Sequence, residues 1–139
     1  MARPMTEALI DSHDAALFDL DGVVYLGSEV VPAAPATMSR LRARGVGVGF
    51  VTNNAARATT VVADQLTDMG IPAAPSDVVS SAEAVTALVA TELGQGTRVL
   101  IAATSNVDDL ARQRGLVPVH SADEHPQAVI QGYDPDIEW

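Results

Sequence analysis

Two aspartates, Asp19 and Asp21, stand at the end of the apolar run Ala15–Phe18 and are followed at once by Gly22, in the stretch FDLDGVVYLG. Like charges where a strand surfaces suit phosphoryl transfer. A carboxylate can attack phosphorus and form an aspartyl-phosphate, dividing a hard hydrolysis into two easier steps. Asp19 is the candidate nucleophile. A second carboxyl must protonate the departing alcohol and later take a proton from the attacking water, and Asp21 suits that role. Holding a carboxylate ~4 Å from a phosphate costs about 4 kcal/mol per pair of unit charges at an effective dielectric near 20, so a cation is required. Magnesium fits, because it takes oxygen ligands, keeps several waters and bridges to phosphate. The stretch VTNNAAR, starting at Val51, adds the Thr52 hydroxyl and amides of Asn53 and Asn54 that can hold phosphate oxygens ahead of a helix start.

These residues need strands that end together. Ala15–Leu20 reads as a strand buried on both faces, and VGVGFVT as a second strand ending at Thr52. Helices are expected over 32–44, with Ala34, Met38 and Leu41 on one stripe, and over 56–69, with Ala58, Val62, Leu66 and Met69 aligned. Ser80 and Glu83 have capping-box spacing for a third helix ending near Gly94. A strand at RVLIAA, a helix over 107–114 and strands near LVPV and AVIQG follow. The alternation implies an α/β fold with a parallel sheet, in which ligands bind beyond the carboxyl ends of the strands.

Composition narrows the function. The chain has 139 residues, no cysteine and a formal charge of −10, and all eight of its basic residues are arginine. Thiol chemistry and a lysine-bearing phosphate loop are excluded. An acidic chain with scattered arginines does not suit nucleic acid. No apolar run reaches the roughly 18 residues of a membrane span, and the first residues lack a signal-peptide core, so no membrane partner and a cytoplasmic location are expected. Asp-x-Asp also recurs at Asp134 and Asp136, but Pro135 between them reads as a helix start capped by Asp134. The glycines of GVGVGF fall inside a strand rather than in a dinucleotide-binding turn. His120, Asp123, Glu124 and His125 read as a solvated loop, and His13 as surface.

FDLDGVVYLG followed by VTNNAAR resembles the first two motifs of the haloacid dehalogenase superfamily, in its NagD-like branch of phosphatases. VPAAPATMSRLRARG, LTDMGIPAAPSDVVSSAEA, RVLIAATSNVDDLARQRGL and VIQGYDPD follow in that branch's order. The resemblance implies a Rossmann-like core in which Asp19 is the nucleophile and a magnesium ligand, and Asp21 the acid–base that binds the metal through its carbonyl. It also implies that Thr52 and Asn53, beside Asn54, bind phosphate, and that Gly22 and Gly27 serve a turn and flap. Thr52 follows Asp19 by only 33 positions, too few to hold a further domain, so any cap must come after the second motif. Residues 1–82 are expected to form the first part of the core, and 83–139 the first part of an α/β cap.

The expected function is magnesium-dependent hydrolysis of a small phosphorylated metabolite. The alternatives are a sugar-phosphate mutase or phosphotransferase of the same superfamily, or a non-catalytic receiver-type module, although a receiver commonly needs a lysine. By resemblance a basic third motif and an acidic fourth motif belong after the cap. This chain holds no lysine, so it is expected to be a fragment, with an exposed sheet edge and apolar face and with little turnover alone. A separate C-terminal half or a homo-oligomer is the expected partner.

Overall fold

A computed structural model describes residues 8–136. Two parallel three-stranded sheets and one small hairpin make up the strands among those residues. The first sheet joins β1 (Ala15–Asp19) to β4 (Gly47–Thr52), and β4 to β5 (Val78–Ser80). Its register sets Phe18 beside Phe50 and Thr52 beside Ser80, so three strands end at one level. The hairpin of β2 (Tyr25–Leu26) and β3 (Glu29–Val30) follows β1 directly. Helices α1 (Ala34–Ala43) and α2 (Thr59–Asp68) make the crossovers.

α3 (Ser81–Leu93) leads to the second sheet. There β6 (Arg98–Ala102) lies between β7 (Val117–Val119) and β8 (Ala128–Gln131), and α4 (Ser105–Gln113) connects β6 to β7. The capping box expected at the start of α3 is present: the Glu83 amide donates to Ser80 Oγ at 3.2 Å, and the Ser80 amide to the Glu83 carboxylate at 3.4 Å. Such a cap is worth about 1 kcal/mol.

Two apolar clusters support the two sheets. One gathers Leu20, Val24, Phe50, Leu66 and Ile71 under the first sheet and the hairpin. The other gathers Val99, Val107, Ala111 and Ile130 with Ala82 of α3. Each fully buried Val, Leu, Ile or Phe among them contributes about 1.5–3 kcal/mol.

Several expectations need correction. β1 is not buried on both faces: Leu17 is 71% exposed, and with Val51 and Val79 it leaves one face of the first sheet open. Among the described residues β1 is also an edge strand, so the exposed sheet edge and apolar face expected of this chain are both present. α2 starts at Thr59 rather than Ala56, because the residues after β4 form an extended loop, and α4 starts at Ser105 rather than Val107. β5 is too short to show as a sequence period, and pairing with β4 creates it. Asp134 accepts a hydrogen bond from the Asp136 amide at 2.9 Å, and the helix expected to begin there lies partly outside the described residues.

Candidate active site

β1 ends on Asp19, one register step from the end of β4 at Thr52. The chain then tightens. The Leu20 carbonyl accepts from the amides of Val23, Val24 and Tyr25, and the Gly22 amide donates to the Tyr25 carbonyl at 2.7 Å. Gly22 sits at φ 81°, where a side chain would be strained, so glycine lets Asp21 turn out of the strand. Gly27, at φ 61°, opens the two-residue loop between β2 and β3, as type II′ hairpins require. Asp19 and Asp21 are both exposed, and neither carboxylate accepts a hydrogen bond or joins an ion pair among the described residues. The Asp21 carbonyl is likewise without a hydrogen-bond donor there.

Tyr25 lies beneath this turn, 4% exposed. Burial pushes its phenol above the ordinary value of 10.0; the Asp21 and Asp19 charges push the same way, and Arg57 opposes them. Both carboxylates and Arg57 are therefore close enough to act on one ring. Tyr25 and Arg57 fall inside the FDLDGVVYLG and VTNNAAR stretches, but a lone tyrosine or arginine carries no spacing signal that marks it in the sequence.

The loop after β4 is built from short polar contacts. Thr52 is buried, and its Oγ1 accepts from the Asn54 amide at 3.1 Å, which leaves the hydroxyl proton free to donate. The Asn54 side-chain oxygen accepts from the Ala56 amide at 3.0 Å. The Asn53 carbonyl accepts from Ser81 Oγ at 2.9 Å, and the Ala55 carbonyl from Asn106 Nδ2 at 2.8 Å. Gly132, just after β8, comes close to the same loop: a Cβ there would lie 3.7 Å from that of Ala55 and 3.1 Å from that of Ala103 after β6.

A cavity of about 460 Å³ opens between the two sheets. Asp21, Asn53, Asn54 and Ser81 line its polar side, while Val85 and Tyr133 help line the other. Asp19 and Thr52 are not on its wall; they sit at the neighbouring strand ends. The expected set is thus brought together in two groups, with Asp21, Asn53 and Asn54 on the cavity and Asp19 and Thr52 beside it. Gly22 and Gly27 shape the turn and hairpin over them. The loop His120–His125 assembles no metal site: among the described residues no three acidic or histidine side chains cluster to hold an ion. His120 instead lies 3.4 Å from the Asp108 carboxylate. His13 is exposed, and its Nδ1 is 2.8 Å from the Leu9 carbonyl oxygen. No helix among the described residues is long and apolar enough to cross a membrane.

A family described as haloacid dehalogenase-like hydrolase matches residues 16–117. D-glycerol 3-phosphate phosphatase of Mycobacterium tuberculosis is 37% identical over 133 residues, which are 96% of this chain and 37% of that protein. Acid sugar phosphatase of Staphylococcus aureus is 32% identical over 127 residues, 91% of this chain and 48% of that protein. The crystal structure of the Mycobacterium tuberculosis glycerol phosphate phosphatase in complex with magnesium superposes with a TM-score of 0.85 at 38% identity, over 94% of this chain and 39% of the other. 4-Nitrophenylphosphatase from Thermotoga maritima, at 22% identity and a TM-score of 0.83 over 94% of this chain and 48% of its own, shares the fold. The chain spans less than half the length of these relatives.

Proposed function

The chain belongs to the haloacid dehalogenase-like hydrolases, and from that premise we propose that the protein is a magnesium-dependent phosphomonoesterase of small phosphorylated metabolites in the cytoplasm. The observation that carries the reading is the placement of Asp19 and Asp21 at the end of β1, level with Thr52 and beside a cavity between two sheets. Magnesium suits the donors present: two exposed carboxylates and one free carbonyl offer only oxygen, and none of them is committed to another partner among the described residues. Asp19 through its carboxylate and Asp21 through its carbonyl would hold it. When bound, the ion offsets the charge of the phosphate and polarises its oxygens.

The rest follows from the chain's own residues. The Thr52 hydroxyl and the Asn53 amide, with Asn54 beside them, orient the phosphate. An Asp19 oxygen forms a bond to phosphorus as the ester P–O bond breaks, and Asp21 gives its proton to the departing alkoxide. In the second step Asp21 takes a proton from water, the water oxygen bonds to phosphorus, and the acyl-phosphate bond breaks to return the Asp19 carboxylate. The cavity receives the leaving group on a wall that is polar near Asp21 and apolar at Val85. On this reading residues 1–82 are core and 83–139 are part of a cap.

Glycerol 3-phosphate, the substrate that names the Mycobacterium tuberculosis relative, is the first compound to test. A chain extended to its relatives' length is expected to release phosphate from it or from another member of a metabolite panel when magnesium is added, and to stop when a chelator removes the ion, while these 139 residues alone turn over little. Absence of release by the extended chain across the panel and from an aryl monophosphate overturns the proposal.

A further inference from the structure

The loop that follows β4 is held by two side chains of other elements that belong to neither motif. Ser81 opens α3 and donates to the Asn53 carbonyl; Asn106, in the first turn of α4, donates to the Ala55 carbonyl. These ties reach across 28 and 51 positions of sequence. The amides on the far side of the same two peptide groups are also engaged, Asn54 N–H by Thr52 Oγ1 and Ala56 N–H by the Asn54 side chain. Two alternate peptide groups of the loop are therefore pinned at both ends. The intervening N–H groups, those of Asn53 and Ala55, have no acceptor among the described residues.

We propose that Ser81 and Asn106 are positioning residues that lock these peptide groups, so that the Thr52–Ala56 loop presents N–H groups rather than carbonyls to a phosphate. The proposal rests on the phosphatase reading of the site. Its physical basis is that a flip of a pinned group by about 180° would turn its carbonyl toward the anion and free the Asn54 or Ala56 amide from its acceptor, whereas holding it fixes the neighbouring peptide groups that carry the free N–H of Asn53 and Ala55. Pinning the Asn53 and Ala55 carbonyls to Ser81 and Asn106 blocks that flip at no cost when the phosphate arrives, which is how a preorganised anion site gains affinity. Because α3 and α4 both pack in the second apolar cluster, the second sheet and its helices also set the geometry of the phosphate cradle.

The test uses Asn106→Asp, which keeps the size but removes the donor, and Ser81→Ala, with Ser81→Thr restoring the hydroxyl. Without substrate, amide exchange of Asn54 and Ala56 is expected to accelerate by about tenfold in the first two variants, the loss of one or two hydrogen bonds, and to return toward the parent rate in Ser81→Thr. With magnesium present, the affinity for inorganic phosphate measured by calorimetry should fall by roughly 3- to 10-fold in the same variants while the thermal midpoint stays close to the parent's. Unchanged exchange in both variants overturns the ties. Faster exchange with unchanged phosphate affinity overturns the positioning role. A parent protein that binds no phosphate and hydrolyses no phosphomonoester overturns the phosphatase reading itself, an outcome the exchange data separate from failure of the ties.

Discussion

In the first sheet the central strand β4 ends on Thr52, between Asp19 of β1 and Ser80 of β5, whereas the central strand β6 of the second sheet ends on Ala102, between Val119 and Gln131. Both sheets are parallel, three-stranded and flanked by helices. Their loops differ as much as their ends. β4 is followed by an extended loop over 53–58 in which the amides of Asn53 and Ala55 have no partner among the described residues, while β6 runs almost directly into α4. Thr104, at the start of α4, buries a hydroxyl oxygen that has no hydrogen-bond partner among the described residues, whereas Thr52 Oγ1 is held by the Asn54 amide. A parallel sheet thus offers a place for chemistry at its carboxyl end, and the side chains and loop length there decide whether it is used.

The sharpest way to break this contrast is at the carboxylates. Asp19→Asn should lower phosphatase turnover by roughly 10⁴-fold or more, as loss of a nucleophile does, whereas Asp134→Asn in the second Asp-x-Asp stretch should leave it within about twofold. Equal effects at the two positions, read from steady-state rates, would show that the β1 end is not special. Next in size is the core beneath that end. Phe50 is fully buried at the centre of the first sheet, and Phe50→Ala is expected to cost about 3–5 kcal/mol in urea unfolding, while Ile101→Val in β6 should cost about 0.5–1.5 kcal/mol.

A third comparison sets the two threonines against each other. Thr52→Ala removes a hydrogen bond to a charged group, worth about 1.5–3 kcal/mol, and should weaken inhibition by inorganic phosphate accordingly. Thr104→Ala should leave the inhibition constant unchanged. The smallest effect concerns Tyr25. Its folded-state pKa is raised above the ordinary value of 10.0, first by burial and then by Asp21 and Asp19, so the stability it contributes is complete below about pH 10 and is lost as pH rises through the folded value. Urea midpoints followed upward from about pH 9 should decline for this reason, and Tyr25→Phe should make the decline shallower; identical slopes would remove the buried phenol as its cause.

Much of the site could be read along the chain because its signals are local. Asp19 and Asp21 are two residues apart at the end of an apolar run, Thr52 closes another, and Ser80 and Glu83 lie one helical turn apart. Such patterns depend on strand and helix periods, which short stretches carry by themselves. The side chain of Tyr25 was different, since its burial depends on what packs over the turn.

Sequence alone thus determined the α/β alternation, the capped start of α3 and the two polar stretches, for each depends on neighbours within a few residues. Tertiary structure alone decided that β5 is a strand, that β1 keeps an open face, and that Ser81 and Asn106 grip the carbonyls of Asn53 and Ala55. Those outcomes require residues tens of positions apart to meet, and the orientation of a peptide group is settled by the partner it finds there, which no local period encodes.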